Sequence, residues 1–257
     1  VRPDYDELAT VSSAVMETFR SVTPIVEVLS MDEAFLDVRG SVRTFGSSRV
    51  IGEYLRARIA DQQRTTCSVG VSSSAQLAKL ASRAAKPDGL LVVTPDQVTS
   101  FLHPLDVDEL WGVGDKTAEQ LRRLGLRTVG DLAHTPVGTL PRAMGPGLGR
   151  QLHDLAWGEA DRPIVSRRGP DEPDHSIGSD ETFGRDTDDP AIVARELLRL
   201  SRRVASRMRL GGVVGRTVVL KVRFADFTTI TRSRTLREPT QLTPEIYRVA
   251  LELFSAL

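Results

Sequence analysis

Two adjacent acidic residues, Asp32 and Glu33, are the strongest candidates for chemistry in this sequence. Neighbouring residues of a regular strand point to opposite faces, so these carboxylates can share a site only where the backbone turns or bulges. Such a pair repels itself, and a hard divalent cation such as Mg²⁺, which prefers oxygen ligands, relieves the repulsion. An exposed acidic hairpin tip is the alternative, but mostly apolar segments flank the pair at residues 26–29 and 34–38. The pair therefore predicts a magnesium site at a turn between two strands.

A glycine-rich turn at residues 112–117, Gly-Val-Gly-Asp-Lys-Thr, is the second candidate. It is not a Walker loop, because Lys116 follows Asp115 rather than glycine, and Thr117 stands where a dinucleotide-binding turn has its third glycine. What remains is a Gly-apolar-Gly turn that opens a helix, whose free amides and positive dipole end can hold one nucleic-acid phosphate without reading sequence. A plain glycine-closed helical turn is the alternative.

Single residues elsewhere carry weaker signals. Lys86 stands at the end of a predicted helix, just before Pro87 and Gly89, and by position alone it favours a role at the helix C-terminus. The four histidines have no ligand-like spacing, so we assign them no metal. The only cysteine, Cys67, lies in an apolar run and is typical of a small core residue.

The elements that must position these residues follow from hydrophobic periodicity. The first part of the chain predicts the order α-β-β-α-β-α-β, with helices at residues 6–19, 49–63 and 74–85 and strands at residues 25–29, 34–38, 65–71 and 90–93. The two strands around Asp32 and Glu33 predict a hairpin. After residue 103 the glycine content rises and short helices are expected, which indicates a compact helical domain.

A third part is predicted after a polar stretch with two prolines at residues 166–174, which is typical of a linker. Helical periodicity at residues 192–210, alternation at residues 217–225 and 228–236, and a helix opened by Pro244 predict two helices packed on a hairpin. The chain as a whole is expected to be an α+β multidomain protein.

Charge is balanced overall, with 34 basic and 34 acidic side chains, but it is unevenly distributed. Between Arg195 and Arg237, twelve arginines or lysines are accompanied only by Glu196 and Asp226. Such a block favours a face that binds a polyanion, with a solvated arginine-rich surface as the alternative. No stretch reaches the roughly 18 apolar residues that a membrane helix needs, and the N-terminus does not resemble a signal peptide, so we expect a soluble cytoplasmic protein.

Four motifs in order resemble one known family. They are Ser-Met-Asp-Glu-Ala-Phe-Leu-Asp-Val at residues 30–38, Ala-Lys-Pro-Asp-Gly at 85–89, the helix-hairpin-helix pattern from residue 110 to 132, and Ser-Ile-Gly-Ser-Asp-Glu-Thr-Phe at 176–183. Together they resemble the Y-family translesion DNA polymerases of the DNA polymerase IV (DinB) branch. The resemblance implies a partial polymerase palm at residues 1–103, a small helical thumb at 104–165, a linker at 166–175 and an α/β little finger at 176–257.

The resemblance also implies roles for individual residues. Asp32 and Glu33 match catalytic carboxylates that bind two Mg²⁺ ions, and Lys86 matches a lysine that contacts the triphosphate of the incoming nucleotide. In the thumb, the residues implied to hold the primer backbone are Val113, Gly114, Lys116 and Thr117. In the little finger, those implied to contact the DNA backbone are Lys221, Arg232 and Arg234.

Two departures from the family pattern bear on activity. The family has its first metal-binding aspartate, its sugar gate and its fingers before the point where this sequence starts, and a further strand after Leu257. We therefore expect a portion of a polymerase whose residues 1–257 bind DNA without extending a primer, with a naturally shortened relative as the alternative.

In the complete enzyme, the function implied is template-directed, error-prone DNA synthesis by two-metal nucleotidyl transfer. The implied partners are primer–template DNA and deoxynucleoside triphosphates, with a sliding clamp as an additional one, in a nucleoid-associated cytoplasmic protein without a membrane partner. Two other functions stay open: a non-catalytic DNA-binding scaffold derived from such a polymerase, and a metal-dependent nuclease that uses Asp32 and Glu33 differently.

Overall fold

A computed structural model describes residues 4–136, 138–159, 162–166 and 176–257. Its contacts divide the chain into two compact units, Val1–Arg167 and Arg168–Leu257. Helices and two-stranded sheets occur in both units, as the α+β prediction requires. Of the predicted linker only Ser166 lies within the described residues. No helix among the described residues is long and apolar enough to cross a membrane.

The first half of unit 1 has the predicted order of elements, with shorter strands and one additional short helix, α2. In chain order the elements are α1 Tyr5–Arg20, β1 Val26–Val28, β2 Ala34–Leu36, α2 Val42–Phe45, α3 Ser48–Gln63, β3 Val69–Val71, α4 Ala75–Ala84 and β4 Leu90–Val92. Strands β1 and β2 form the predicted antiparallel hairpin, in which Glu27 lies opposite Phe35. Strands β3 and β4 are parallel, and α4 is the crossover between them.

Helix α4 lies against β3 at a close approach that only glycine allows. A Cβ atom at Gly70 would lie 2.0 Å from the carbonyl oxygen of Ala78 and 2.2 Å from the amide nitrogen of Ser82. Both of these atoms belong to the backbone and cannot move aside without shifting the helix. Gly70 therefore fixes the distance between the strand and the middle of α4, which carries Lys79.

The second half of unit 1 is a set of short helices around one core. The helices are α5 Val98–Leu102, α6 Asp115–Arg123, α7 Val129–Ala133, α8 Thr139–Met144 and α9 Pro146–Ala156, with 3₁₀ turns at Pro95–Gln97 and Val107–Glu109. Leu77 and Leu80 of α4 are buried in the same core as Leu121 and Leu152. The predicted palm and thumb segments thus share a core, and the boundary between them at residue 103 stays a prediction.

Unit 2 is built from α10 Pro190–Leu210, β5 Gly215–Arg223, β6 Thr229–Thr240 and α11 Thr243–Ser255. The strands pair antiparallel, and one face of the pair packs on the helices through a core that includes Leu197, Leu220, Val249 and Leu253. This confirms the predicted arrangement of two helices on a hairpin. Both strands are flanked by helices that begin with a proline in the first turn, where its missing N–H costs no helical hydrogen bond.

Candidate active site and nucleic-acid interface

The acidic turn, residues 29–33, connects β1 to β2 and carries Asp32 and Glu33. The amides of Leu29 and Ser30 donate to the carbonyl oxygen of Glu33, at 2.9 and 3.3 Å, which closes the turn. The hydroxyl of Ser30 donates to Oδ1 of Asp32 at 2.6 Å. The backbone therefore turns at the place where the sequence required it, between two strands of one hairpin.

Glu33 is held by a lysine from another element. Nζ of Lys79 in α4 lies 2.7 Å from Oε2 of Glu33, and both side chains are partly exposed. The same ammonium lies 5.7 Å from the centre of the Trp111 ring, within the range of a cation–π contact. Lys79 thus pairs with one of the two adjacent carboxylates and connects the acidic turn to α4.

A buried carboxylate lies in the hairpin beneath the acidic turn. Glu27 in β1 is 2% exposed and receives hydrogen bonds to both of its oxygens, at 3.0 and 2.9 Å, from Nη1 of Arg162. The amide of Val165 donates to the same carboxylate at 3.2 Å. The guanidinium group of Arg162 lies 5.6 Å from the Phe35 ring and 5.3 Å from the Trp111 ring. The buried charge is therefore paired and hydrogen-bonded, as burial requires.

The two carboxylates of the acidic turn fit a divalent cation in part. Both side chains are exposed and offer the hard oxygen ligands that Mg²⁺ prefers. Within the described part of the chain, no group of three or more histidine, cysteine, aspartate or glutamate side chains is arranged to hold a metal. Asp37, the next carboxylate along the hairpin, is instead engaged by Arg39, whose hydrogen bonds lower the pKa of Asp37. Asp32 and Glu33 thus offer part of a ligand set.

Lys86 lies just beyond the C-terminus of α4 and is exposed. Its amide donates to the carbonyl oxygen of Arg83 at 3.2 Å, which extends the helical turn. The following residues are fixed by Arg56, which lies 3.0 Å from Oδ1 of Asp88. Lys79 and Lys86 therefore belong to the same helix and its C-terminal extension, and the ammonium group of Lys86 is accessible to a ligand.

The glycine turn, residues 112–114, leads into α6. Gly112 has a φ of +96°, in the region that favours glycine, and Gly114 is the N-cap residue of the helix. Among the described residues no side chain caps α6 at this end. The first amides of a helix lack intrahelical acceptors, so those of α6 are available to an anion.

The four residues predicted to hold the primer backbone differ in what they can offer. Val113 is buried and its amide donates to the carbonyl oxygen of Leu110 at 3.0 Å, so this residue holds the shape of the turn. Gly114 and Lys116 are exposed, and Thr117 is half-buried in the first turn of α6. The structure brings all four together at one helix end. Val113 offers no free group there and only shapes the backbone of its neighbours.

In unit 2 the strand register separates the three predicted DNA-contacting residues onto two faces. Arg232 lies opposite Leu220, which is buried against the helices, so Arg232 and Arg234 lie on the helix-covered face, where Arg234 pairs with Glu252 of α11. Lys221 lies opposite Thr231 on the other face. This open face consists of exposed residues only: Thr217, Val219, Lys221, Arg223, Thr229, Thr231, Ser233 and Thr235.

Several cations of the basic block are already paired within unit 2. Arg199 contacts both Glu196 and Glu181, and these hydrogen bonds raise its pKa further. Nζ of Lys221 lies 2.8 Å from Oδ1 of Asp180, although both side chains are largely exposed. Part of the positive charge counted in the sequence is therefore neutralised, and a phosphate that bound here would have to compete with exposed carboxylates.

Sequence reasoning missed the residues that hold the site together: Lys79, Trp111, Arg162 and Glu27. One signal was present, because Glu27 is a lone charge in an otherwise apolar strand, and such a charge is buried only when it is paired. No local sequence pattern indicates the partners of Glu27, since Arg162 lies 135 residues further along the chain.

Comparison with family models identifies three matching segments. Residues 1–83 match the "impB/mucB/samB family", residues 174–257 match its C-terminal domain, and residues 108–159 match the "DNA polymerase-iota, thumb domain". These segments cover most of both units and include the acidic turn, the glycine turn and the basic block.

Curated relatives are similar along almost the whole chain. A DNA polymerase IV 2 from Mesorhizobium japonicum is 40% identical over 249 residues, which cover 97% of this chain and 58% of that relative. A DNA polymerase IV from Alkalilimnicola ehrlichii is 41% identical over 246 residues, covering 96% of this chain and 68% of the relative. A third, from Streptomyces coelicolor, is 40% identical, and 51% of its length is covered. The chain thus spans between half and about two thirds of the length of these three relatives.

Solved structures show the same fold. A Y-family DNA polymerase chimera of Dbh and Dpo4 superposes with a TM-score of 0.84 at 23% identity, covering 98% of this chain and 71% of the chimera. DinB from Sulfolobus solfataricus superposes with a TM-score of 0.59 at 23% identity, covering 100% of this chain and 73% of that protein. With the motifs and the curated relatives, these matches confirm the resemblance seen in the sequence: the chain belongs to the Y family of DNA polymerases.

Proposed function

We propose that the protein synthesises DNA on a template, in the error-prone, translesion manner of DNA polymerase IV. The observation that carries this proposal is the acidic turn, in which the consecutive residues Asp32 and Glu33 are both exposed at the end of a hairpin whose buried Glu27 is paired with Arg162. A DNA-binding scaffold without catalysis would have no use for two adjacent exposed carboxylates, which would repel a phosphate backbone.

Asp32 and Glu33 would hold Mg²⁺ ions, which when bound would supply charge for activating the primer 3′ hydroxyl and for stabilising the pyrophosphate that leaves. Lys79 keeps Glu33 in place and balances its charge while no cation is bound. The accessible ammonium of Lys86 is suited to the triphosphate of the incoming nucleotide, toward which a lysine acts as a point charge.

DNA binding would use two surfaces that contact backbone rather than bases. The amides at the start of α6, with Lys116, would hold one phosphate of the primer strand. In unit 2 the open face of β5 and β6 offers Lys221, Arg223 and a row of hydroxyl groups, which are all able to donate hydrogen bonds to phosphate oxygens. Arg232 and Arg234 would contribute from the rim of the covered face. Such contacts suit an enzyme that must accept any sequence.

The partners would be primer–template DNA and deoxynucleoside triphosphates, which would place the protein at the nucleoid in the cytoplasm. A sliding clamp as an additional partner stays a prediction that rests on the family alone.

Primer extension by the full-length protein tests this proposal. The protein is incubated with Mg²⁺, one deoxynucleotide and a primed template whose next base is either complementary or mismatched. Extension that prefers the complementary deoxynucleotide is the expected result. Binding without extension would favour the scaffold, and shortening of the primer would favour the nuclease.

A further inference from the structure

Trp111 lies where the acidic turn and the glycine turn come together. Along the chain it directly precedes Gly112, the first residue of the glycine turn. In space its ring lies 5.6 Å from the ring of Phe35, at a tilt of 53°, and Phe35 follows Glu33 by two residues. One side chain therefore contacts the hairpin that carries the carboxylates and belongs to the backbone that opens α6.

Two cations join this ring to two carboxylates of the hairpin. Lys79 lies 5.7 Å from the ring and 2.7 Å from Glu33, and Arg162 lies 5.3 Å from the ring and 2.9 Å from the buried Glu27. The charges alternate with the ring in the order carboxylate, cation, aromatic ring, cation, carboxylate. Removing the ring would leave Lys79 held by Glu33 alone, and Arg162 held by Glu27 and the Phe35 ring.

Ordinary core packing does not account for this arrangement. Trp111 is 37% exposed, whereas the nearby residues Leu110 and Val113 are buried in the core. An indole that only filled a core would be covered by apolar side chains, but here the ring contacts two partly exposed charged groups. The ring therefore packs against two cations and restricts where they can lie.

We propose that Trp111 is a positioning residue that fixes the acidic turn relative to the glycine turn. The glycine turn would hold primer backbone and the acidic turn would hold the metal ions that act on the primer end, so their separation has to be fixed for reaction. This purpose rests on the proposed function, whereas the coupling between the two turns is a property of the folded chain. DNA bound at the glycine turn should therefore stabilise the acidic turn as well.

Amide hydrogen exchange on residues 1–257 tests the coupling without any catalysis. The amides of Leu29 and Ser30, which donate to Glu33, report opening of the acidic turn. Trp111→Leu should speed their exchange by roughly five- to tenfold, from the size of two partly exposed cation–π contacts, and Trp111→Phe should restore most of the protection. A short duplex should slow the same amides in the wild type and have little effect on them in Trp111→Leu.

The chain offers a closely matched control. Tyr54 is 36% exposed, its ring lies 5.5 Å from Phe45, and the guanidinium of Arg58 lies 5.9 Å from it. Tyr54→Leu removes an aromatic ring with nearly the same exposure and the same kinds of contact, and Tyr54 lies on α3, which contributes no residue to either turn. It should leave exchange of the acidic turn unchanged.

Lys79→Met provides a second, milder variant, because it keeps the side-chain stem and removes only the charge that joins Glu33 to the ring. It should speed exchange in the acidic turn even if Trp111→Leu fails to fold. Unchanged exchange in Lys79→Met and in folded Trp111→Leu, or an equal effect of Tyr54→Leu, would overturn the proposal. Primer extension by the full-length protein is measured separately. If the exchange rates show coupling but no primer is extended, only the proposed function is contradicted. If primers are extended but the exchange rates show no coupling, only the role of Trp111 is contradicted.

Discussion

The charges of the acidic turn and those of the basic block in unit 2 are organised in opposite ways. In the acidic turn, Glu33 has one cation at 2.7 Å that also contacts an aromatic ring, and Glu27 beneath it is buried and paired. In unit 2, cations are numerous and exposed, and Glu252 is shared by Arg234 and Arg248. The first region fixes single charges, whereas the second spreads many charges over a surface.

This difference matches the role that we propose for each region. Phosphoryl transfer depends on positions within a fraction of an ångström, which single, well-held groups provide. Binding a DNA backbone depends mainly on how many phosphates are neutralised, which many exposed cations provide. A single substitution should therefore have a large effect in the first region and a small effect in the second.

The largest effect is expected for Asp32→Ala or Glu33→Ala in the full-length protein. Either change should lower the rate of primer extension by roughly three orders of magnitude, as removal of a group that stabilises transition-state charge does. The melting temperature should hardly change, because both carboxylates are exposed and a partly exposed ion pair such as Lys79–Glu33 contributes little to stability. Single-turnover extension and thermal unfolding are the measurements, with Asp61→Ala on α3 as an acidic surface control. Near-wild-type extension would exclude these residues from the metal site.

The next largest effect concerns stability of unit 1. Arg162→Ala leaves Glu27 buried without its cation and should lower the free energy of unfolding by about 2 to 3 kcal/mol, less than for a fully buried pair because Arg162 is 41% exposed. Glu27→Gln should lower the free energy of unfolding by less, since the side-chain carbonyl oxygen of glutamine can still accept a hydrogen bond from the amide of Val165. Urea unfolding followed by tryptophan fluorescence measures both, because Trp111 and Trp157 both lie in unit 1. Equal costs for the two variants would argue that the pair acts only by packing.

In unit 2 we expect a graded loss of DNA affinity. Lys221→Ala with Arg223→Ala removes both cations of the open strand face and should flatten the slope of log affinity against log salt by about 0.9 for each phosphate that is no longer neutralised. Arg234→Ala with Arg248→Ala removes two cations that share Glu252 and should change the slope less. Fluorescence anisotropy on residues 1–257 with duplex DNA measures this. A larger change for the second pair would place the DNA-binding surface on the covered face.

The smallest effect should be a pH dependence confined to unit 1. Burial and the neighbouring His134 lower the pKa of His103, whose Nε2 has no hydrogen-bond partner among the described residues. The unfolded chain then binds a proton more readily than the folded one, so stability is complete above the unfolded pKa of about 6.5 and falls as the pH drops below it. Because only one proton is involved, the unfolding constant can rise by at most about tenfold for each pH unit.

Urea unfolding at pH 7.5 and 5.5 measures this dependence through Trp157, whose ring lies 5.2 Å from that of His103. His103→Asn should weaken it, and His153→Asn, a partly exposed histidine of α9, serves as the control. The same pH dependence in both variants would show that His103 is not responsible.

The sequence by itself determined the candidate groups for chemistry and the local shapes that present them. An acidic pair between apolar strands predicts a turn with two carboxylates, and Gly112 and Gly114 before a helix predict a phosphate-binding end, because both patterns act over a few residues. The order of helices and strands was predictable for the same reason, while short elements such as α2 carry too few residues for a periodic signal.

Only the tertiary structure decided which groups hold the candidate site in place. Lys79 reaches Glu33 across 46 residues because Gly70 lets α4 lie against β3, and Arg162 reaches Glu27 across 135. The face on which Arg232 lies depends on strand register, since a slip of one residue would move it to the opposite side. Periodicity reports which residues share a face of one element, but contacts between elements depend on how their surfaces pack, and no local pattern contains that information.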